Sequence, residues 1–179
     1  DWNLPELSKQ SWTTFPLTKY LRSTKEISQQ VLKVYDDEYN ASAISGLEPQ
    51  YIQLKNKGWK EGLAALVQIL TGLFETEKYH ASQVQILIPH SQYLEEVEQA
   101  SYKPNLKIGA IKEIQIQSIH KFKGLESEVV VMILPSIESL ESETTTDIRS
   151  LIYVGMSRAT SLLILIGDQE VKALANWSP

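Results

Sequence analysis

The sequence has no cysteine, which excludes a disulfide framework, a thiolate zinc site and a cysteine nucleophile. No apolar run approaches the ~20 residues that cross a bilayer, and no signal peptide opens the chain. None of the 8 glycines is followed by lysine, so the phosphate-cradling loop G-x-x-x-x-G-K-[ST] has no counterpart. Positive charge is not in excess either. There are 17 basic and 22 acidic residues, and the net charge of −5 argues against a general nucleic-acid coat while leaving room for a local basic strip. What is present, in 179 residues, is a globular balance of 42% hydrophobic and 22% charged residues. A chain of that size buries roughly 70% of its unfolded surface, enough for one domain with its own core. The first residue is Asp1 and not Met, so the chain is expected to be cut from something larger, soluble and cytoplasmic, with no membrane partner.

Residues 1–16, with Trp2, Pro5, Trp12 and Pro16, show no period and read as an irregular lead-in to a single domain over 17–179. Over 23–39, Ile27, Val31, Leu32, Val34 and Tyr35 recur at helical spacing, with Ser23 or Thr24 as cap and Glu26 placed for a capping box. A short strand is expected at 51–54, a long helix at 58–78 on Leu63, Leu66, Val67, Leu70, Leu73 and Phe74, and a strand at 84–88. An acidic helix at 91–100 and a strand at 114–118 follow. Residues 129–134 are an unbroken apolar run, as in parallel strands buried on both faces. A polar, acidic loop over 135–146 leads to a helix capped by Asp147 and running to about Ala159, then a last strand at 162–166. Strands alternating with helices imply an α/β fold with an open, mostly parallel sheet flanked by helices.

Ligands of open α/β sheets bind beyond the carboxyl ends of the strands, which directs attention to the loop after 114–118. It reads Ser118-Ile119-His120-Lys121-Phe122-Lys123-Gly124-Leu125-Glu126, more polar chemistry than a turn needs, although solvation alone would also accommodate the charges. In the helix 147–159, Arg149 and Arg158 lie nine positions apart on opposite faces and cannot serve one ligand together. Gly155 costs ~1 kcal/mol relative to alanine, a cost tolerated where another backbone approaches closely. Arg158 stands near the helix C-terminus, where the dipole favours a cation. Arg22, at a helix start, opposes the dipole and calls for a partner elsewhere, a salt bridge being the simplest. Asp36-Asp37-Glu38 reads as a solvated helix end, and Trp59 and Trp177 as packing residues. His80 and His90 lie ten residues apart without a carboxylate at ligand spacing, a poor metal site.

Three segments together resemble the superfamily 1 helicases of the UvrD/Rep/PcrA type. Residues 17–24 are similar to motif IV, 118–126 to motif V and 151–159 (Leu-Ile-Tyr-Val-Gly-Met-Ser-Arg-Ala) to motif VI. The resemblance implies a RecA-like second motor domain that lacks the phosphate loop. ATP with Mg2+ would be bound mainly by an N-terminal motor domain of the same full-length chain, leaving the isolated fragment inactive. Arg22 and Arg158 would act as catalytic arginine fingers on the γ-phosphate, with Gly124 and Glu126 on the nucleotide side. Ser118, His120 and Lys123 would contact single-stranded DNA. Departures are Leu21 where the family has an adenine-stacking tyrosine, Ser127 and Glu128 after motif V, and Ser118 and Ser157 in place of threonines. Only 97 residues separate Arg22 from His120, leaving no space for the large domain inserted in UvrD and Rep. That short interval also resembles HelD-type relatives, which implies a second reading with RNA polymerase as partner. An inactive interaction module is the third.

Overall fold

Apolar side chains alternating along the central strands set the architecture. The computed structural model describes residues 22–35, 44–56, 58–101, 114–140 and 145–177. In chain order the regular elements are α1 (Lys25–Lys33), β1 (Gln50–Gln53), α2 (Trp59–Thr71), β2 (Val84–Ile88) and α3 (Leu94–Ser101). They are followed by β3 (Gln115–Ser118), β4 (Ser127–Leu134), α4 (Thr145–Met156), β5 (Ala159–Gly167) and α5 (Gln169–Leu174). The strands form one parallel sheet in the order β1-β5-β4-β2-β3.

Because side chains alternate across a strand, β4 feeds two cores at once. Val130, Met132 and Leu134 join Leu163 and Leu165 of β5 on one face, under α1, α4 and α5. Val129, Val131 and Ile133 join Leu162, Ile164 and Ile166 on the other, under Leu66, Leu70 and Leu73 of α2 and its extension and Val97 of α3. All six of these β4 residues are fully buried, so neither face of the strand tolerates a polar residue. Buried Gln85 in β2 is accommodated because its amide donates to the carbonyls of Ile86 and Gln115, both at 2.9 Å. Among the described residues no helix is long and apolar enough to cross a membrane.

Several boundaries differ from expectation. The capping box at Ser23 does not form: Thr24 is the N-cap of α1 without a side-chain bond, and Glu26 accepts from the Gly46 N–H at 2.7 Å. A long-range partner has taken the carboxylate that a local cap would use. Asp36-Asp37-Glu38 and residues 1–21 lie outside the described residues. The long helix ends as α2 at Thr71 and widens into a π-helical turn, Gly72–Thr76, where Thr71 Oγ1 bonds back to the Val67 carbonyl at 2.8 Å. Lys78, at φ 62, stops it. α4 starts at Thr145, so Asp147 sits in the first turn and is not the cap. The unexpected α5 is capped by Asp168, whose Oδ1 accepts from the N–H groups of Glu170 (3.0 Å) and Val171 (2.9 Å).

Gly155 is on the inner face of α4, where a Cβ would meet Met132 Sδ at 2.3 Å and Ile119 Cδ1 at 3.4 Å. It lets the helix settle on the sheet, but what approaches is the side chains of Met132 and Ile119 and not the backbone that its cost in the sequence suggests. Gly167 has less give: a Cβ there would lie 2.7 Å from Tyr51 Oη, 2.8 Å from Val171 Cγ1 and 3.0 Å from the Leu134 carbonyl oxygen. The last is backbone inside the sheet and cannot yield cheaply. Gly167→Ala is therefore expected to cost about 1–3 kcal/mol, at roughly 2–4 °C of Tm per kcal/mol. Gly72→Ala, with open space around the new methyl, should melt at or above the parent temperature. Calorimetry showing Gly167→Ala as stable as the parent would contradict this packing.

Candidate functional site

A parallel sheet has two unlike edges, and the motif residues divide between them. At the carboxyl edge, where the strands end, β2 and β3 are in register with Ile88 opposite Ser118. That register brings two imidazoles together. His120, exposed after β3, and half-buried His90, after β2, have ring centroids 6.5 Å apart and ring planes inclined by 29°. Behind them Trp59, at the start of α2, stacks on Tyr93 at 4.2 Å, the packing role expected of it. Ser118 is buried, and its Oγ accepts from the Lys121 N–H at 3.4 Å, so its visible task is to shape the loop. Lys121 and Lys123 are exposed.

At the amino edge, where β4 and β5 begin, lie Arg158 and the start of the segment that follows Arg22. The Ser127 N–H donates to the Arg158 carbonyl at 3.0 Å, and the Thr24 N–H to the Thr160 carbonyl at 3.2 Å. Each arginine is two residues from Thr24 or Thr160, so chain reach bounds their Cα separation to about 20 Å. Arg22 is exposed and Arg158 half-buried. Arg158 lies beyond the last helical residue, Met156, and its Nε donates to the Val154 carbonyl at 3.0 Å. This is the contact expected of a cation at a helix C-terminus. Its other bonds reach Ser157 Oγ (3.0 Å) and the Leu125 carbonyl (3.4 Å). All three acceptors are neutral, so these contacts leave its charge unneutralised.

The connection 119–126 joins the two edges. Ile119 and Phe122 are buried in the core beneath α4, and Gly124 adopts φ 92, a left-handed conformation suited to glycine. Leu125 is 52% exposed although apolar, and Glu126 is exposed beside it. Glu126, between the Leu125 carbonyl and the Ser127 N–H that both bond to Arg158, thus accompanies Arg158 at the amino edge, while Ser118 and His120 stay at the carboxyl edge and Lys123, whose N–H lies 3.4 Å from the His120 carbonyl, leads through Gly124 between them. The loop after β3 therefore does not lie wholly at the carboxyl ends, where the ligand rule for open sheets directs attention. Among the described residues no three His, Asp or Glu side chains gather as a metal site, and His90 stands against an imidazole instead. Its partner His120 is thirty residues away, and only strand register could have revealed the pair.

Two concavities lie apart from Arg158. One of about 370 Å³ is lined by Gln30, Lys33, Tyr51, Lys172 and Trp177, and the other, about 530 Å³, by Gln53, Leu54, Lys55 and Asp168. Burial, then the Asp168 charge, raises the Tyr51 phenol well above its usual range, and its hydroxyl donates to the Asp168 carbonyl at 2.5 Å.

A family model for the UvrD-like helicase C-terminal domain matches residues 3–170. The chain belongs to that family. A solved structure of similar fold is the C-terminal domain of a possible DNA helicase from Lactobacillus plantarum, at 17% identity and TM-score 0.65, covering 87% of this chain and 91% of that one. The helicase nsp10 of PRRSV (15% identity, TM-score 0.43) aligns over 87% of this chain and 25% of its own. An arterivirus nonstructural protein 10 helicase (14%, TM-score 0.44) aligns over 89% and 27%. No curated protein matches the sequence.

In this UvrD-like domain the carboxyl edge also includes the loop after β1. Glu61 accepts from the N–H groups of Lys55 (3.0 Å) and Asn56 (2.7 Å), and these two bonds hold its carboxyl below the usual range. Because the folded pKa is the lower one, the contribution is complete above the unfolded value and lost as pH falls through the depressed folded value. Amide shifts of Lys55 and Asn56 should therefore titrate with a midpoint below that of a free glutamate. A midpoint at or above about 4.3 would contradict the capping role.

Proposed function

We propose that this domain is the second half of an ATP-dependent DNA helicase motor. It presents Arg158 and Arg22 to the γ-phosphate of ATP, which is bound with Mg2+ by the N-terminal motor domain of the same full-length chain. Its opposite edge meets single-stranded DNA. One observation carries the reading: a single connection runs from His120 at one edge to Leu125 at the other, and the Leu125 carbonyl accepts from Arg158.

The chemistry suits these groups. Phosphoryl transfer is accelerated mainly by positioning and charge stabilisation, and an arginine finger can contribute about 10³–10⁵ in rate. A planar guanidinium fits phosphate oxygens better than an ammonium does. Arg158 has its charge free and Arg22 stands exposed at the same corner. Exposed Leu125 offers apolar surface to the facing domain, and Glu126 and Gly124 border the nucleotide. On the far edge His120 and Lys123 contact backbone phosphates without reading sequence, which lets a motor move along any strand. Closure of the two domains draws Arg158 from the Leu125 carbonyl toward the phosphate, and the connection passes the release of Leu125 on to His120.

In the full-length protein, Arg158→Ala should reduce ATP turnover by about three orders of magnitude or more while leaving the melting temperature within a few degrees. Unchanged turnover would overturn the finger role. His120→Ala should weaken single-stranded DNA binding, and Lys123→Ala should weaken it and also flatten its dependence on salt. Unchanged DNA affinity, with retention of RNA polymerase by the full-length protein, would replace this reading by the HelD-like one.

A further inference from the structure

A guanidinium has five N–H donors, and where the first three are spent decides where the rest can point. Nε of Arg158 donates to the Val154 carbonyl at 3.0 Å and Nη2 to Ser157 Oγ at 3.0 Å. The Ser157 hydroxyl itself donates to the same Val154 carbonyl at 2.9 Å. Two oxygens, already hydrogen-bonded to each other, thus form a paired acceptor along one edge of the guanidinium. Ser157 is buried at 6% exposure, so water competes poorly for this pair. The third bond, from Nη1 to the Leu125 carbonyl, is the longest at 3.4 Å. Among the described residues these bonds leave one N–H on each terminal nitrogen over.

We infer that Ser157 is a positioning residue for Arg158. Its buried hydroxyl and the Val154 carbonyl lock one edge of the guanidinium to the end of α4 and leave the two terminal nitrogens to grip the γ-phosphate, which displaces the Leu125 carbonyl. This rests on Arg158 being the phosphate contact. The exchange is favourable because a long bond to a neutral carbonyl gives way to bonds between opposite charges. It also frees Leu125 at the moment the phosphate is gripped, and so releases the connection that leads to His120. Without the serine hydroxyl, Nη2 loses its anchor and the side chain must be ordered afresh in each catalytic cycle.

The test uses the full-length protein with steady-state ATP turnover on Ser157→Ala, Ser157→Thr, Arg158→Ala and the double variant Ser157→Ala/Arg158→Ala. Loss of one buried hydrogen bond at the transition state should lower kcat about tenfold in Ser157→Ala, with KM for ATP within about twofold. Ser157→Thr, which keeps the hydroxyl, should restore kcat. In the Arg158→Ala background, Ser157→Ala should cost nothing further. Wild-type kcat in Ser157→Ala, or an undiminished loss in the Arg158→Ala background, overturns the positioning role. Wild-type turnover in Arg158→Ala instead overturns the motor reading beneath it.

Discussion

Parallel strands all begin at one edge of the sheet and end at the other, so every connection between neighbours must travel the full depth of the fold. In most places a helix makes that journey. Between β3 and β4 it is made by residues 119–126 alone, pinned by Ile119 and Phe122 in the core under α4. This crossing winds through successive turns, with the Phe122 N–H on the Ser118 carbonyl and the Leu125 N–H on the Phe122 carbonyl, and still carries the chain from His120 to Glu126 with only five residues between them. The physical consequence is coupling. A displacement at either end meets a short chain with buried side chains in its middle, and such a chain transmits a shift more readily than it absorbs one.

The amino corner is built around the same constraint. β5 starts where α4 ends, so the turn containing Ser157 and Arg158 is stretched between a helix C-terminus and a strand N-terminus. The Arg158 carbonyl is committed to Ser127 and its amide to Gly155 at 3.2 Å, leaving only the side chain to move. Gly155 brings α4 down onto Met132 and Ile119, which fixes the height of that turn above the sheet. Packing in the core therefore sets the position of a charge at the surface. The link runs through one glycine.

What the sequence revealed follows burial. β2 and β4 were plain because a strand buried on both faces must be apolar throughout, and α4 was plain because Ile148, Leu151 and Ile152 repeat on one face. The short α5 was missed because six residues carry too little period, and its cue was the single Asp168 cap. Glu26 looked like a local cap and serves Gly46, which lies twenty residues on. The motif residues themselves were legible from their order along the chain. Their distribution between two edges was not, because the rule that ligands gather at carboxyl ends says nothing of residues where the strands begin. The pairing of His90 with His120 is a property of register, which composition and spacing do not encode.

The neutrality of the oxygens around Arg158 bears on how such a group must be stored. Had a carboxylate held the guanidinium, reaching a phosphate would require breaking an ion pair, and the field presented to the ligand would be cancelled until it broke. Carbonyl and hydroxyl oxygens orient the group through hydrogen bonds while leaving its full charge to act at a distance. Burial of Ser157 limits wandering, and partial exposure of Arg158 keeps the desolvation cost of the resting charge small. A charge that must be both fixed in direction and unspent is best held at the end of a helix. There the unsatisfied carbonyls, Val154 among them, supply acceptors and a favourable dipole together.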